Sequence, residues 1–377
     1  MWRWTPWVLL LGLALAQSGG GSPVLTAVLV LEEDVLEDGV LRTYVGSQTF
    51  HVASEAELRA LLKKLAREPR PPRFVLQGER WRGVEKKGLT FNEAEALAVY
   101  RQARDAGRKS FVLPVRYTYP TPSLKELYVL GVREHLATGE TSFRGSSRER
   151  THNLLLASSK LDGLLIPPGR FSFNQALGPV TQEEGYKEAF VIVGDRTEQG
   201  VGGGVCQVST TLFRAFFFAG LPILERHAHS YQVAYYKPTG LDAAVIQPYK
   251  DLRVLNDTPG YILVQRSVQG TTLRFHLFGT KDREVRWEGP FVSERKPPLP
   301  PKEVVEPSLP PGTRKQVDFA AEGAKVEVRR TVRYGDGRVK EDKLVSVYRP
   351  WGAVYLVGPT PPPKAPPAPQ GGGGGAP

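Results

Sequence analysis

The sequence predicts an α+β protein. A mixed core domain is flanked by a small N-terminal α+β domain and a C-terminal all-β module. Three observations predict it. Polar caps that open apolar runs at helical spacing recur between strand-like segments through the first two thirds of the chain. Pro-rich segments at 297–301 and 307–311 then mark a shift in composition. Beyond them, a Val-rich stretch over 312–358 is folded back by Gly335-Asp336-Gly337, a hairpin signal.

The elements follow in order. Arg3, an apolar run over 8–15 and the small-x-small site Ala14-Leu15-Ala16 predict a signal peptide over 1–16. The run is too short to span a bilayer, and membrane contact follows only if the segment stays uncleaved as an anchor. Residues 17–23 form a Gly/Ser-rich linker. Residues 24–31 read as a strand. Ser54-Glu55-Ala56-Glu57 is a capping box for a helix with Leu58, Leu61, Leu62 and Leu65 on one face. Thr90-Phe91-Asn92-Glu93 repeats the box for a second helix closed by Gly107, and 110–117 alternates like a strand. The domain 24–144 carries no catalytic pattern.

The core domain, 145–285, opens with a helix over 145–160 that places Arg150 and Asn153 on one face, where bracing of neighbouring loops is the favoured role. A turn at Pro167-Pro168-Gly169 leads to a short aromatic strand ending at Asn174. A glycine run, Gly200 to Gly204, precedes a helix with Val208, Leu212, Ala215, Phe216 and Ala219 on its apolar face, stopped by Gly220-Leu221-Pro222. Strands are predicted at 233–236, 243–246, 252–255, 261–265 and 272–277. A Pro-rich linker over 286–311 leads to the β-module, 312–359, and a Pro/Gly tail over 360–377 is expected to be disordered.

Charge and composition exclude several functions. The chain carries 50 Lys and Arg against 39 Asp and Glu, a net charge of +11. A basic exported protein suits the anionic surfaces of a cell envelope. The charges are spread, without aromatic-interleaved basic runs, so no nucleic-acid partner is expected. The glycine run lacks the Lys-Ser/Thr ending of a phosphate loop and the GxGxxG spacing, which argues against a nucleotide. No cofactor is called for. His227-x-His229 with Asp242 or Cys206 is a conceivable metal pair, but no third ligand has diagnostic spacing, so no metal is expected.

The chemistry points to Cys206, the single cysteine of the chain. Exported cysteines normally pair, and this one has no intramolecular partner. It is buried and inert, paired with another chain, or kept for its reactivity. A helix N-terminus carries about half a positive charge and favours a thiolate. Gly202, Gly203 and Gly204 have no side chains to obstruct a substrate carbonyl, and their N–H groups with that of Gln207 are candidates for an oxyanion hole. His227 and His229 alternate, so on a strand they share a face, and either is a candidate base. Asp242, Ser230 or Asn153 is a candidate for orienting it. The bland alternative is a packed cysteine beside a tight turn.

Several ordered motifs carry a family resemblance. Arg150-x-x-Asn153, Pro168-Gly169-x-Phe171-Ser172-Phe173-Asn174, Gly202 to Thr210, Glu225-Arg226-His227-x-His229-Ser230 and Gly240-x-Asp242-Ala243 resemble the VanW family. The region 75–145 is similar to the peptidoglycan-binding domain that precedes VanW domains. The C-terminal module, ending Val357-Gly358-Pro359, resembles the G-five domain but departs from its usual Val-Gly-Thr ending. The resemblance implies an exported envelope protein acting on peptidoglycan, in the periplasm or cell wall, by L,D-transpeptidase-type cross-linking through Cys206. It assigns Ser209 and Thr210, within the cysteine motif, to the substrate-binding set, and Asn174, Arg226, Ser230 and Asp242 to support. Two alternatives stand beside it: a non-catalytic wall-binding protein and a cysteine peptidase acting on stem peptides.

Overall fold

The computed structural model describes residues 24–193 and 196–359. The signal peptide, the 17–23 linker and the tail expected from sequence lie outside these residues. Contacts divide the described chain into two compact units, one of 24–35, 41–73 and 83–124, the other of 36–40, 74–82 and 125–359.

The first unit is a sheet packed by two helices. β1 (Leu25–Glu37), β2 (Val40–Val52), β3 (Arg70–Gln77) and β4 (Arg80–Lys86) run in the order β2-β1-β4-β3, and β6 (Ser110–Val112) pairs parallel to β1. A smaller pair joins β5 (Gly88–Thr90) to β7 (Arg116–Thr118). Helix α1 (Glu55–Leu65) starts where the capping box predicts. Ser54 Oγ accepts from the Glu57 amide at 3.2 Å, and Glu57 Oε2 accepts from the Ala53 amide at 2.8 Å. Helix α2 (Glu93–Asp105) starts later than its predicted box. Asn92, not Thr90, is the cap and accepts from the Glu95 amide, because Thr90 still belongs to β5. Leu25, Ala27 and Leu29 meet Leu58, Leu62, Leu97 and Tyr100 in the core.

The second unit is built around one buried helix. After α3 (Leu124–Val129), β8 (Glu134–Ser142), β9 (Leu165–Ile166), β15 (Ile262–Gln269) and β16 (Thr272–Gly279) form a sheet ordered β8-β16-β15-β9. Helix α4 (Arg148–Lys160) is capped by Ser147. β10 (Gly169–Ser172) turns directly into α5 (Phe173–Leu177), so the predicted aromatic strand ends before Asn174. The hairpin of β11 (Glu188–Val193) and β12 (Arg196–Val201) leads into the glycine turn and α6 (Val205–Phe218). β13 (Ile223–Glu225) and β14 (Arg253–Asn256) pair in a small sheet with β10.

Helix α6 lies against β8 and β16, and its residues are buried except Cys206 and Phe218. Gly139 on β8 makes this possible. A Cβ there would sit 2.2 Å from Thr211 O and 2.4 Å from Ala215 N, inside the helix backbone. Two strand predictions fail nearby. Residues 234–236 form a short 3-10 turn, and 243–246 make only isolated bridges, Ala244 with His227 and Ile246 with Lys250. Their backbone is held by side chains of α6 rather than by a ladder.

The predicted linker over 286–311 is largely strand. β17 (Arg283–Lys296) pairs with β20 (Gly323–Tyr334), which pairs with β21 (Val339–Tyr348). Its register shifts between Glu288 and Phe291, so Gly289-Pro290 is accommodated in a bulge. β18 (Lys302–Val305) and β19 (Arg314–Asp318) flank β22 (Val354–Val357). The β-module is continuous with the core. Val328 of β20 belongs to the same buried cluster as Leu212, Phe216 and Leu277, and Arg330 Nη1 donates to Phe217 O and Leu221 O at the C-terminal end of α6.

The Gly139 contact generates a stability test. Gly139→Ala forces β8 and α6 apart and is expected to destabilise the protein by at least about 1–3 kcal/mol, the usual cost of overpacking. The midpoint of chemical denaturation measures it.

Candidate functional site

The site begins at the glycine turn. Gly204 is the N-cap of α6 at φ +114°, and a Cβ there would meet Arg150 O at 2.8 Å. A Cβ on Gly203 would meet Phe190 O at 2.6 Å, and one on Gly202 the Val180 side chain at 2.3 Å. The space predicted for a substrate carbonyl is therefore occupied by the chain itself. The glycines let α4, the β11–β12 hairpin and α6 pack together. The Gln207 amide is likewise engaged, donating to Gly204 O at 3.0 Å, so it does not serve as an oxyanion donor.

Cys206 is the second residue of α6 and remains partly accessible, unlike the rest of the helix's first turns. It is a free thiol whose Sγ–H donates to Val245 O at 3.4 Å, and the His229 imidazole acts on it electrostatically. His229 is buried. Its Nδ1 lies 2.6 Å from Asp242 Oδ2, which leaves Nε2 for the thiol. The His229 amide donates to the same Asp242 oxygen at 2.8 Å. Asp242 Oδ1 accepts from Arg226 Nη2 at 3.0 Å and from the Tyr348 hydroxyl at 2.5 Å.

Electrostatics favour the charged forms of both the cysteine and the histidine. Burial pushes the Cys206 thiol up, but the hydrogen bond and charge of His229 outweigh it and hold the thiol below its ordinary range. Burial pushes His229 down, and Asp242 with Cys206 raises it to about 9. Burial alone raises Asp242, yet His229, Arg226 and Tyr348 hold it far below the usual carboxylate range. The two groups titrate as one coupled system.

His227 does not join this cluster. Its Nε2 pairs with Glu225 Oε1 at 3.0 Å, and it is half exposed. The predicted shared face required a strand, and residues 226–230 do not form one, so the two imidazoles take separate partners.

The remaining predicted residues build the scaffold. Ser209 Oγ donates to Ala243 O at 2.6 Å, and Thr210 Oγ1 accepts from the Ala243 amide at 3.0 Å. These buried hydroxyls pin the residue after Asp242 to α6, which contradicts their expected place in substrate binding. Asn153 bonds Lys187 N, Lys187 O and Gly203 O, bracing the glycine turn as favoured from sequence. Arg150 spans Ser146 Oγ, Gln207 Oε1 and the Tyr235 ring, and its charge also favours the Cys206 thiolate. Gln207 is fully buried and donates to Thr141 Oγ1. Asn174 donates to Lys250 O, supporting the loop that follows Val245. Ser230 offers its carbonyl to the Arg349 amide. Sequence reasoning missed Tyr236, whose ring centroid lies 4.9 Å from that of His229, and Tyr348.

Fold and site together define an α+β protein with a cysteine at a helix N-terminus beside a hydrogen-bonded histidine–aspartate pair. Residues 149–278 match the family model described as VanW like protein, so the chain carries a VanW-like domain. It is 35% identical over 175 residues to the uncharacterized protein YoaR of Bacillus subtilis, covering 46% of this chain and 57% of that one. It is 34% identical over 115 residues to the vancomycin B-type resistance protein VanW of Enterococcus faecalis, covering 29% of this chain and 42% of that one. The matches thus span about half the length of these curated relatives. Among solved structures, the G5 domain of IgA1 protease aligns with 21% of this chain and 94% of its own at 17% identity, with a TM-score of 0.13. A likeness this slight supports no assignment. Among the described residues, no helix is long and apolar enough to cross a membrane.

The geometry separates the two histidines experimentally. Alkylation of native protein by iodoacetamide is expected to proceed well below pH 8.5, because His229 and Arg150 hold the thiol below its ordinary range. His229→Ala removes the favourable partner and leaves the burial, so the profile moves to higher pH and the rate at pH 7 falls by about tenfold or more. His227→Ala leaves the profile unchanged. Equal effects of the two substitutions would refute the assignment of His229.

Proposed function

We propose that the chain is a cell-envelope cysteine acyltransferase that cross-links peptidoglycan stem peptides. The grouping of Cys206 with the hydrogen-bonded pair His229–Asp242 carries the reading. The resistance function named in the VanW relative, with the motif resemblance, supports cell-wall peptide as the substrate class. The signal-like N-terminal sequence supports export.

The Cys206 thiolate attacks the donor carbonyl, and the amide π electrons move onto oxygen. The Cys206 amide, in the first turn of α6 beside the sulfur, is the donor we assign to that oxyanion. His229 gives its proton to the departing amine as the C–N bond breaks, leaving a thioester on Cys206. An acceptor amine then attacks the thioester. His229 takes its proton, a new amide forms, and the thiolate returns. One amide is exchanged for another, so no nucleotide is consumed. Asp242 holds the imidazole in the tautomer that directs Nε2 at sulfur. Attack by water on the same thioester would give a peptidase, so the acceptor decides the outcome.

Mature protein incubated with tetrapeptide muropeptides is expected to give cross-linked dimers and an acyl adduct on Cys206, both visible by mass spectrometry. Cys206→Ala should abolish both, and its retention of activity would overturn the proposal. Shortened monomers without dimers would identify a peptidase. Sacculus binding without turnover, equal in Cys206→Ser, would identify a binding protein. Asp242→Asn should lower turnover by about 10^3 or more, through loss of the imidazolium's partner and the correct tautomer.

A further inference from the structure

We propose that Tyr348, on strand β21 of the C-terminal module, is a positioning residue for the Asp242 carboxylate and through it for His229. The inference rests on the reading above in one respect, that Asp242 orients His229.

The two oxygens of Asp242 divide their work. Oδ2 takes both donors of His229, the amide and Nδ1. Oδ1 takes Arg226 Nη2 and the Tyr348 hydroxyl. The rotation of the carboxylate about its last side-chain bond decides whether Oδ2 stays in line with Nδ1. That rotation is held at Oδ1. The Tyr348 oxygen is fixed in turn, because it accepts the Gly240 amide at 3.0 Å while donating to Oδ1. The second holder depends on the same strand. Arg226 Nη1 donates to Ser346 Oγ at 2.8 Å. Ser346 and Tyr348 stand two apart and share one face of β21, buried at 1% and 4% exposure, while Val347 between them is 67% exposed on the other. One strand face thus delivers two hydroxyls to one ion-pair network.

Packing alone does not require these hydroxyls. The Tyr348 ring lies in a small apolar cluster with Ala324 and Val326, which phenylalanine would fill equally. The hydroxyl instead reaches the carboxylate over 106 residues of sequence. Residues 346–348 lie beyond the VanW-like region, 149–278. A module that reads as an appended wall-binding domain therefore completes the site.

The test uses the full chain and the pH dependence of Cys206 alkylation by iodoacetamide. Tyr348→Phe keeps the ring and removes the hydroxyl. Its profile is expected to move to higher pH, with the rate at pH 7 falling about three- to tenfold. Adding Tyr348→Phe to His229→Ala should change nothing further, because the effect passes through the imidazole. A purely structural tyrosine would lower the thermal midpoint and leave the profile in place. Superimposable wild-type and Tyr348→Phe profiles, or a full additional loss in the His229→Ala background, would overturn the proposal. If Tyr348→Phe fails to fold, Ser346→Ala, which removes one of the hydrogen bonds that orient Arg226, should shift the profile in the same direction, and an unmoved profile there overturns it equally. The readout needs no cell-wall substrate. Failure of muropeptide cross-linking would therefore count against the transferase and not against Tyr348.

Discussion

The structure depends on one buried carboxylate. An unpaired anion as deeply buried as Asp242 would cost several kcal/mol. Here each oxygen has two donors, and those donors come from two stretches of chain: the loop carrying Arg226 and His229, and the far strand carrying Tyr348. Satisfying the charge gathers these segments, and gathering them aims the imidazole. The satisfied burial of Asp242 and the fixed orientation of His229 are thus two consequences of the same arrangement.

Helix α6 is the rigid body against which this arrangement is referenced. Its N-terminal end presents Cys206, its next turn fixes Ala243 through Ser209 and Thr210, and Arg214 farther along bonds Leu241 O, Glu140 O and Tyr236 O. The segment bearing Asp242 is therefore held by side chains of the same helix that carries Cys206. Distance errors between sulfur and imidazole are small when both are measured from one scaffold.

What was legible in the sequence was local. The apolar spacing of α6, the Ser54 box and the Ser147 helix follow from neighbours within a few residues, and the structure keeps them. The choice of histidine was not local. The alternation of His227 and His229 carries meaning only on a strand, and what separates them is a carboxylate at 242 and another at 225. The family resemblance placed the motif hydroxyls Ser209 and Thr210 among the substrate contacts, an assignment that carries no information on which way they face. Here they face Ala243. The stretch after 286 read as linker because of the Pro-rich segments at 297–301 and 307–311, yet β17 runs up to Lys296 and β18 follows at Lys302–Val305. Tyr348 had no sequence signal, since nothing near it in the chain announces a partner a hundred residues back.

The continuity between α6 and the β-module has an evolutionary consequence. Val328 lies in the core of the helix, and Arg330 closes its C-terminal carbonyls while pairing with Asp342. A recombination breakpoint in the Pro-rich stretch would cut no helix and would look harmless in the gene. It would nevertheless bring a foreign strand onto the end of α6 and leave Asp242 without its tyrosine. The heritable unit of this site therefore extends through residue 348, and lineages that exchange the C-terminal module must exchange its inward face conservatively.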